Sequence, residues 1–120
     1  MNKFTTAIGA LALCSCAMAP GTGQVTPAQS VYAAEGAYAV ALRSAVAYRQ
    51  LPKCTMGVVI CHDPIVVQRL VVADNKAHAA LLGAEALVRA KGTDQQIEAA
   101  VLLAKVAIAD FSFLIPHVGN

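Results

Sequence analysis

Three times along this chain, a capping residue heads a long run whose apolar positions recur in steps of three and four. A 3.6-residue period puts such positions on one face of a helix, whereas a strand needs a period of two. The first run opens Thr26-Pro27-Ala28-Gln29: a hydroxyl at the N-cap, proline at the first helical position and a glutamine placed to complete a capping box. Val31, Ala34, Tyr38, Ala41, Ala45 and Tyr48 make its apolar face, and Gln29, Gly36, Arg43 and Gln50 its polar stripe. Pro52 stops it near Gln50. The second run opens Asp63-Pro64 and continues to about Lys91, with Gly92 expected as the residue past its C-cap. Val66, Leu70, Ala73, Ala77, Ala80, Ala84 and Leu87 form its face, opposite Gln68, Asn75 and Arg89. Its first turns, Ile65-Val66-Val67 and Leu70-Val71-Val72, have the composition of a strand. The cap before them and the alanine run after them favour helix. The third run opens with a further capping box, Thr93-Asp94-Gln95-Gln96, and reaches about Ile115 before Pro116. Its inner face is Ile97, Val101, Ala104, Ile108, Phe111 and Ile115.

The spacing therefore predicts helices over 27–50, 64–91 and 94–115 in a single domain. Only Gly92-Thr93 joins the second to the third, so those two must be antiparallel neighbours. The expected fold is all-α, an antiparallel up-down-up three-helix bundle. With 25 alanines and no tryptophan, its core is thin and packed through small residues at the helix seams. The same periodicity suits a coiled coil between chains; the short connections favour packing within one chain.

The third helix is apolar nearly all round. Away from its inner face it carries Leu102, Leu103, Val106, Ala109 and Phe113, interrupted only by Glu98, Lys105 and Asp110. Such a helix is buried on more than one side. Either the other two helices wrap it, or Leu102, Val106 and Phe113 are left as a contact face for a second copy or another envelope protein. Lys105 and Asp110 make it a poor membrane span, because each charge costs about 2.5–3.5 kcal/mol near a helix centre.

The N-terminus predicts an address. Met1-Asn2-Lys3 carries one positive charge, and a short apolar stretch from Phe4 to Leu13 follows. It is far shorter than the ~20 residues of a membrane span, and has the build of an export signal. Leu13-Cys14-Ser15-Cys16 resembles the bacterial lipobox. That resemblance implies a signal peptide over residues 1–15, acyl chains on Cys16, and, with Ala17 next, sorting to the outer membrane on its periplasmic side. Residues 16–25 then form a lipid-anchored tether that holds the domain about 15–18 Å from the lipid. Ala17-Met18-Ala19 fits the competing A-x-A cut, which would release a soluble periplasmic protein.

Two cysteines remain outside the signal, Cys54 and Cys61. In an exported chain such a pair predicts a disulfide, and closing so short a loop contributes ~2.5 kcal/mol. Inside the ring, Met56-Gly57-Val58-Val59-Ile60 is apolar and is expected to fold back onto the end of the bundle.

Little in the chain suggests catalysis. No G-x-S-x-G, H-E-x-x-H, P-loop or dinucleotide fingerprint occurs. Asp74, His78 and Glu85 fall near one face of the second helix, but a metal would need further ligands from another helix, so a solvated polar face is expected. His62 and His117 flank loops and are expected to be solvated; Ser30, Ser44 and Ser112 have no base nearby in sequence. A net charge of +2, with basic residues scattered, argues against nucleic acid. No metal, no cofactor and no enzymatic activity are expected.

Leu51-Pro52-Lys53-Cys54, Cys61-His62-Asp63-Pro64, Val66-Val67, Leu70 and Ala73-Asp74 complete the pattern. With the signal and the alanine-rich ends, most of the chain resembles small helical lipoproteins of proteobacterial genomes and their prophages. That family has no assigned activity and carries over no functional residues. Phage-borne lipoproteins as a class include outer spanins and superinfection-exclusion proteins, so the resemblance implies a setting in lysis or exclusion. The expectation is a non-enzymatic, lipid-anchored envelope protein with a structural or protein-contact role. The alternative is a soluble periplasmic module holding a small apolar ligand between its helices.

Overall fold

The computed structural model describes residues 25–116. Within them the chain forms α1 (Pro27–Gln50), α2 (Pro64–Arg89) and α3 (Asp94–Leu114), each packed against the other two. This is the three-helix bundle that the spacing predicts. The expected signal segment 1–15, Cys16, the expected tether up to residue 24, and His117 lie outside the described residues.

The caps form as their residue types require. Thr26 Oγ1 accepts from the Gln29 amide at 3.3 Å, and Gln29 Oε1 accepts from the Thr26 amide at 2.9 Å. Thr93 and Gln96 repeat that reciprocal pair at 3.3 and 2.9 Å. Each box satisfies two backbone donors that an α-helix start otherwise leaves without partners. The start of α2 is held differently. Asp63 Oδ1 accepts from the Ile65 amide at 2.7 Å, while the Asp63 amide donates to the Tyr48 hydroxyl at 2.8 Å. The cap of α2 is thereby tied to the end of α1.

The end of α2 departs from expectation. The helix closes at Arg89 with Ala90 as C-cap, and the left-handed position falls on Lys91, φ 53°, rather than on Gly92. The Lys91 amide donates to Val88 O at 3.1 Å and the Gly92 amide to Leu87 O at 2.9 Å, the two bonds of a Schellman motif. Gly92 serves close approach instead of a positive φ: a Cβ there would sit 3.2 Å from Leu87 O.

Fifteen apolar residues form the buried core, and seven of them are alanines, so few large side chains fill it. Phe111 of α3 is fully enclosed. The predicted inner faces hold with small shifts. On α2, Leu81 is buried and Ala80 only half-buried, because both return to the face of Ala77 after one turn. Tyr38 and Ile115 are half-buried at the margins of the core.

Between α1 and α2, Cys54 and Cys61 are disulfide-bonded with Cα atoms 4.8 Å apart, as the sequence predicts. A single β-bridge, Lys53 to His62, flanks the ring; the Cys54 amide donates to His62 O and the His62 amide to Pro52 O. His62 is not solvated as expected. It is half-buried, its ring stands edge-on to Tyr48, and its Nδ1–H donates to the Leu51 carbonyl. The apolar ring segment does not fold back either. Met56 and Val59 are fully exposed and Ile60 is exposed beside them. Four residues, Thr55 to Val58, are drawn into a turn by the Val58 amide donating to Thr55 O, with Gly57 at φ 89°. That turn and the disulfide leave a ring too short to reach the bundle.

Candidate functional site

On α2, half-buried Asp74 and exposed His78 are both engaged by Tyr38 of α1. Its hydroxyl donates to Asp74 Oδ1 at 2.7 Å, joining α1 to α2, and its ring stacks on His78 with centroids 5.9 Å apart. Burial pushes the Tyr38 phenol up to about 12, and the hydrogen bond to Asp74 and that carboxylate's charge act in the same direction. A phenol held protonated is neither base nor nucleophile at neutral pH, so the arrangement acts as a clasp. Glu85 does not join it; it pairs along the helix with Arg89 at 3.5 Å. Among the described residues no three His, Cys, Asp or Glu side chains stand close enough to hold a metal ion. Ser44 and Ser112 donate to carbonyls one turn back in their own helices, Val40 O at 3.2 Å and Ile108 O at 2.8 Å.

Exposed large apolar residues occur on all three helices, Val40 on α1 and Ile65 and Val72 on α2 among them, and α3 carries four. The first two helices do not wrap it. Leu102 is 63 % exposed, Leu103 68 %, Val106 54 % and Phe113 88 %. The reason is geometric: α1 and α2 both pack on the inner face around Phe111 and Ile108, and nothing in a three-helix bundle reaches the far side. Single exposed apolar residues are ordinary, but Leu102, Val106 and Phe113 share one face of α3 by their spacing.

Of the exposed side chains of α3, Leu103 and Val106 also line a groove of about 720 Å³ between α2 and α3. Apolar Val72, Leu103 and Val106 line it together with the charged Arg69, Lys76 and Asp110. A second groove of about 550 Å³ lies between α1 and α3, bounded by Val40, Ala41, Tyr48 and Ile115. Alanines produce both depressions, since small side chains at a seam leave the flanking larger ones standing proud. The sequence points to Val106 as a contact residue, but Ile65, Arg69 and Val72 escape it, because their place beside α3 depends on how the helices pair. Among the described residues no helix is long and apolar enough to cross a membrane.

Compared with protein-family models, curated proteins and solved structures, the chain has no match.

Proposed function

We propose that this chain is a non-enzymatic, lipid-anchored protein of the bacterial envelope that acts by protein contact through the outer surface of α3. The observation that carries the reading is the exposure of Leu102, Leu103, Val106 and Phe113 on α3, with Phe113 at 88 % the most exposed large apolar side chain of the three helices. No buried side-chain polar atom lacks a partner among the described residues, so what the fold leaves unsatisfied is apolar surface, of which α3 carries a share. The anchor rests on Leu13-Cys14-Ser15-Cys16 behind a short apolar stretch. Two or more acyl chains there give stable membrane attachment without any spanning helix.

Attachment also gives the bundle a direction. The start of α1 and the α2–α3 turn share the tethered end. The Cys54–Cys61 ring and Pro116 lie at the other, about 36 Å away along the 24-residue α1. Fractionation of cells tests the anchor: the wild-type protein is expected with membranes and Cys16→Ala in the soluble periplasm. Release by Cys14→Ala instead would reassign the acceptor, and a soluble wild type would remove the anchor.

The α2–α3 groove supports a second reading, a soluble periplasmic module with a small apolar ligand seated along Val72 and Ala107. Lipid extracted with the purified soluble protein would favour it.

A further inference from the structure

We infer that the Cys54–Cys61 ring is a lipid-binding tip, which seats Met56, Val59 and Ile60 in the interface of a phospholipid bilayer that carries anionic headgroups. The inference goes beyond the proposed contact role and rests on neither α3 nor the anchor.

Apolar side chains are held out of the molecule here by the structure of the connection itself. The disulfide closes the ring. At its base the Cys54 amide donates to His62 O and the His62 amide to Pro52 O, and the turn from Thr55 to Val58 shapes its tip. Met56, Val59 and Ile60 are exposed as a result. A tip fixed in this form has little conformational freedom left to lose on binding, so its apolar surface is presented at small entropic cost. The amides of Cys54, Val58 and His62 are already bonded within the chain. A shallow seat in lipid therefore strips water from fewer backbone groups.

Size and charge favour lipid over a protein partner. From Thr55 to Ile60 the ring offers only a short run of residues, whereas a standard protein interface takes about 20–30 from each side. A bilayer needs no matching surface: attachment to it scales with the apolar area seated and with attraction to anionic lipid. Between its cysteines the ring carries no charge. Around it the charges are mostly positive. No acidic residue occurs from Gly36 to His62, while Arg43, Arg49 and Lys53 do. Arg49 in the last turn of α1, Lys53 beside Cys54 and Arg69 in the second turn of α2 are all exposed at this end of the bundle. Asp63 is occupied with the Ile65 amide as the cap of α2, and Asp110 lies in the last two turns of α3. An uncharged apolar tip with exposed cations beside it complements a surface that is apolar within and negative at its headgroups. The stem of Lys53 is long enough to lie along apolar surface while its ammonium stays at headgroup level.

The chain has no tryptophan, so Val59→Trp in the full-length protein is a single fluorescent reporter at the tip. Every sample also carries Cys16→Ala, so that no acyl chain on that residue can hold the protein to lipid. The probe is a vesicle of phosphatidylcholine and phosphatidylglycerol, with or without bromine on the acyl chains. Vesicles are expected to shift the emission of Val59→Trp to the blue, and brominated lipid to quench it. Adding Lys53→Glu is expected to raise the lipid concentration that gives half the quenching by about tenfold, since it reverses one charge at an anionic surface. Adding Met56→Asp is expected to abolish both effects, and vesicles of phosphatidylcholine alone to weaken both. Circular dichroism checks that each variant keeps its helix content, and the comparison of the two vesicles uses one protein throughout. An emission that vesicles leave unchanged overturns the inference, as does an equal response to neutral and anionic vesicles or full quenching in Met56→Asp. An emission already shifted to the blue before lipid is added overturns it too, because the tip is then covered by protein.

Discussion

Tyr38 shows how one hydroxyl couples a helix pair. Its phenol titrates near 10.0 in an unfolded chain and near 12 in the bundle, so the folded protein holds that proton more tightly. The associated stability is therefore fully present below about pH 10 and is lost as pH rises towards 12. Tyr38→Phe should lower stability by about 1 kcal/mol at pH 8, the contribution of a partly exposed hydrogen bond to a carboxylate. Urea denaturation of both proteins at pH 8 and near pH 12 checks the sign: the gap should narrow at the higher pH, and a constant gap would mean that the phenol does not hold its proton as described. At Lys91 the backbone is left-handed, which disfavours any residue with a Cβ. Lys91→Gly should raise stability by up to about 1 kcal/mol, because relief of that strain exceeds the entropy that glycine loses on folding. Gly92→Ala should lower it by a similar amount, because its Cβ meets the Leu87 carbonyl to which the Gly92 amide already donates. Thermal melts of the two variants should move in opposite directions.

At the scale of elements, the helices were legible in the sequence because each carries its own start signal. Thr26 with Gln29, Asp63 with Pro64, and Thr93 with Gln96 are local chemistry, and a cap needs no knowledge of the rest of the fold. The end of α2 was less legible: Lys91 and Gly92 both suit a stop, and which one turns left-handed depends on the close contact with Leu87. The ring segment was misjudged for a related reason. Apolar composition says that Met56, Val59 and Ile60 prefer burial, but the tight turn at Gly57 and the bond between Cys54 and Cys61 leave them no route to the core. The disulfide should then act on this connection and little else. The double change Cys54→Ser with Cys61→Ser is expected to lower stability by about 2.5 kcal/mol, on the order of 10–20 °C in Tm for a domain of this size, with helix content kept. Circular dichroism through a thermal melt measures both, and loss of helix at 25 °C would show that the ring also sets how α1 meets α2.

Across the whole molecule, the inner and outer sides of α3 differ by one or two positions in sequence and by nearly everything in environment. Phe111 is fully enclosed, while Val106 is half-exposed and Phe113 almost wholly so. Composition cannot separate them, since all three are large and apolar. Their angular position on the helix separates them only once it is known that two other helices share a single side of α3. That arrangement follows from a core built largely of alanine, in which three helices close on one another and none is free to cover the back of a neighbour. Substitutions should divide accordingly. Phe111→Ala removes a large and fully buried side chain and should cost about 3–5 kcal/mol, much of the 5–15 kcal/mol that holds a typical domain together. Val106→Glu with Phe113→Glu should leave helix content and Tm nearly unchanged, because surface changes away from caps and packed seams stay within about 0.5 kcal/mol each. It should also abolish any association that the outer face supports, since a charge in the centre of an apolar contact is left without a partner. Sedimentation of wild type and double variant, beside their melting curves, decides the matter. A double variant that unfolds would place Val106 and Phe113 in the core, and a wild type that sediments as a monomer at every concentration would leave the face without a second copy to bind.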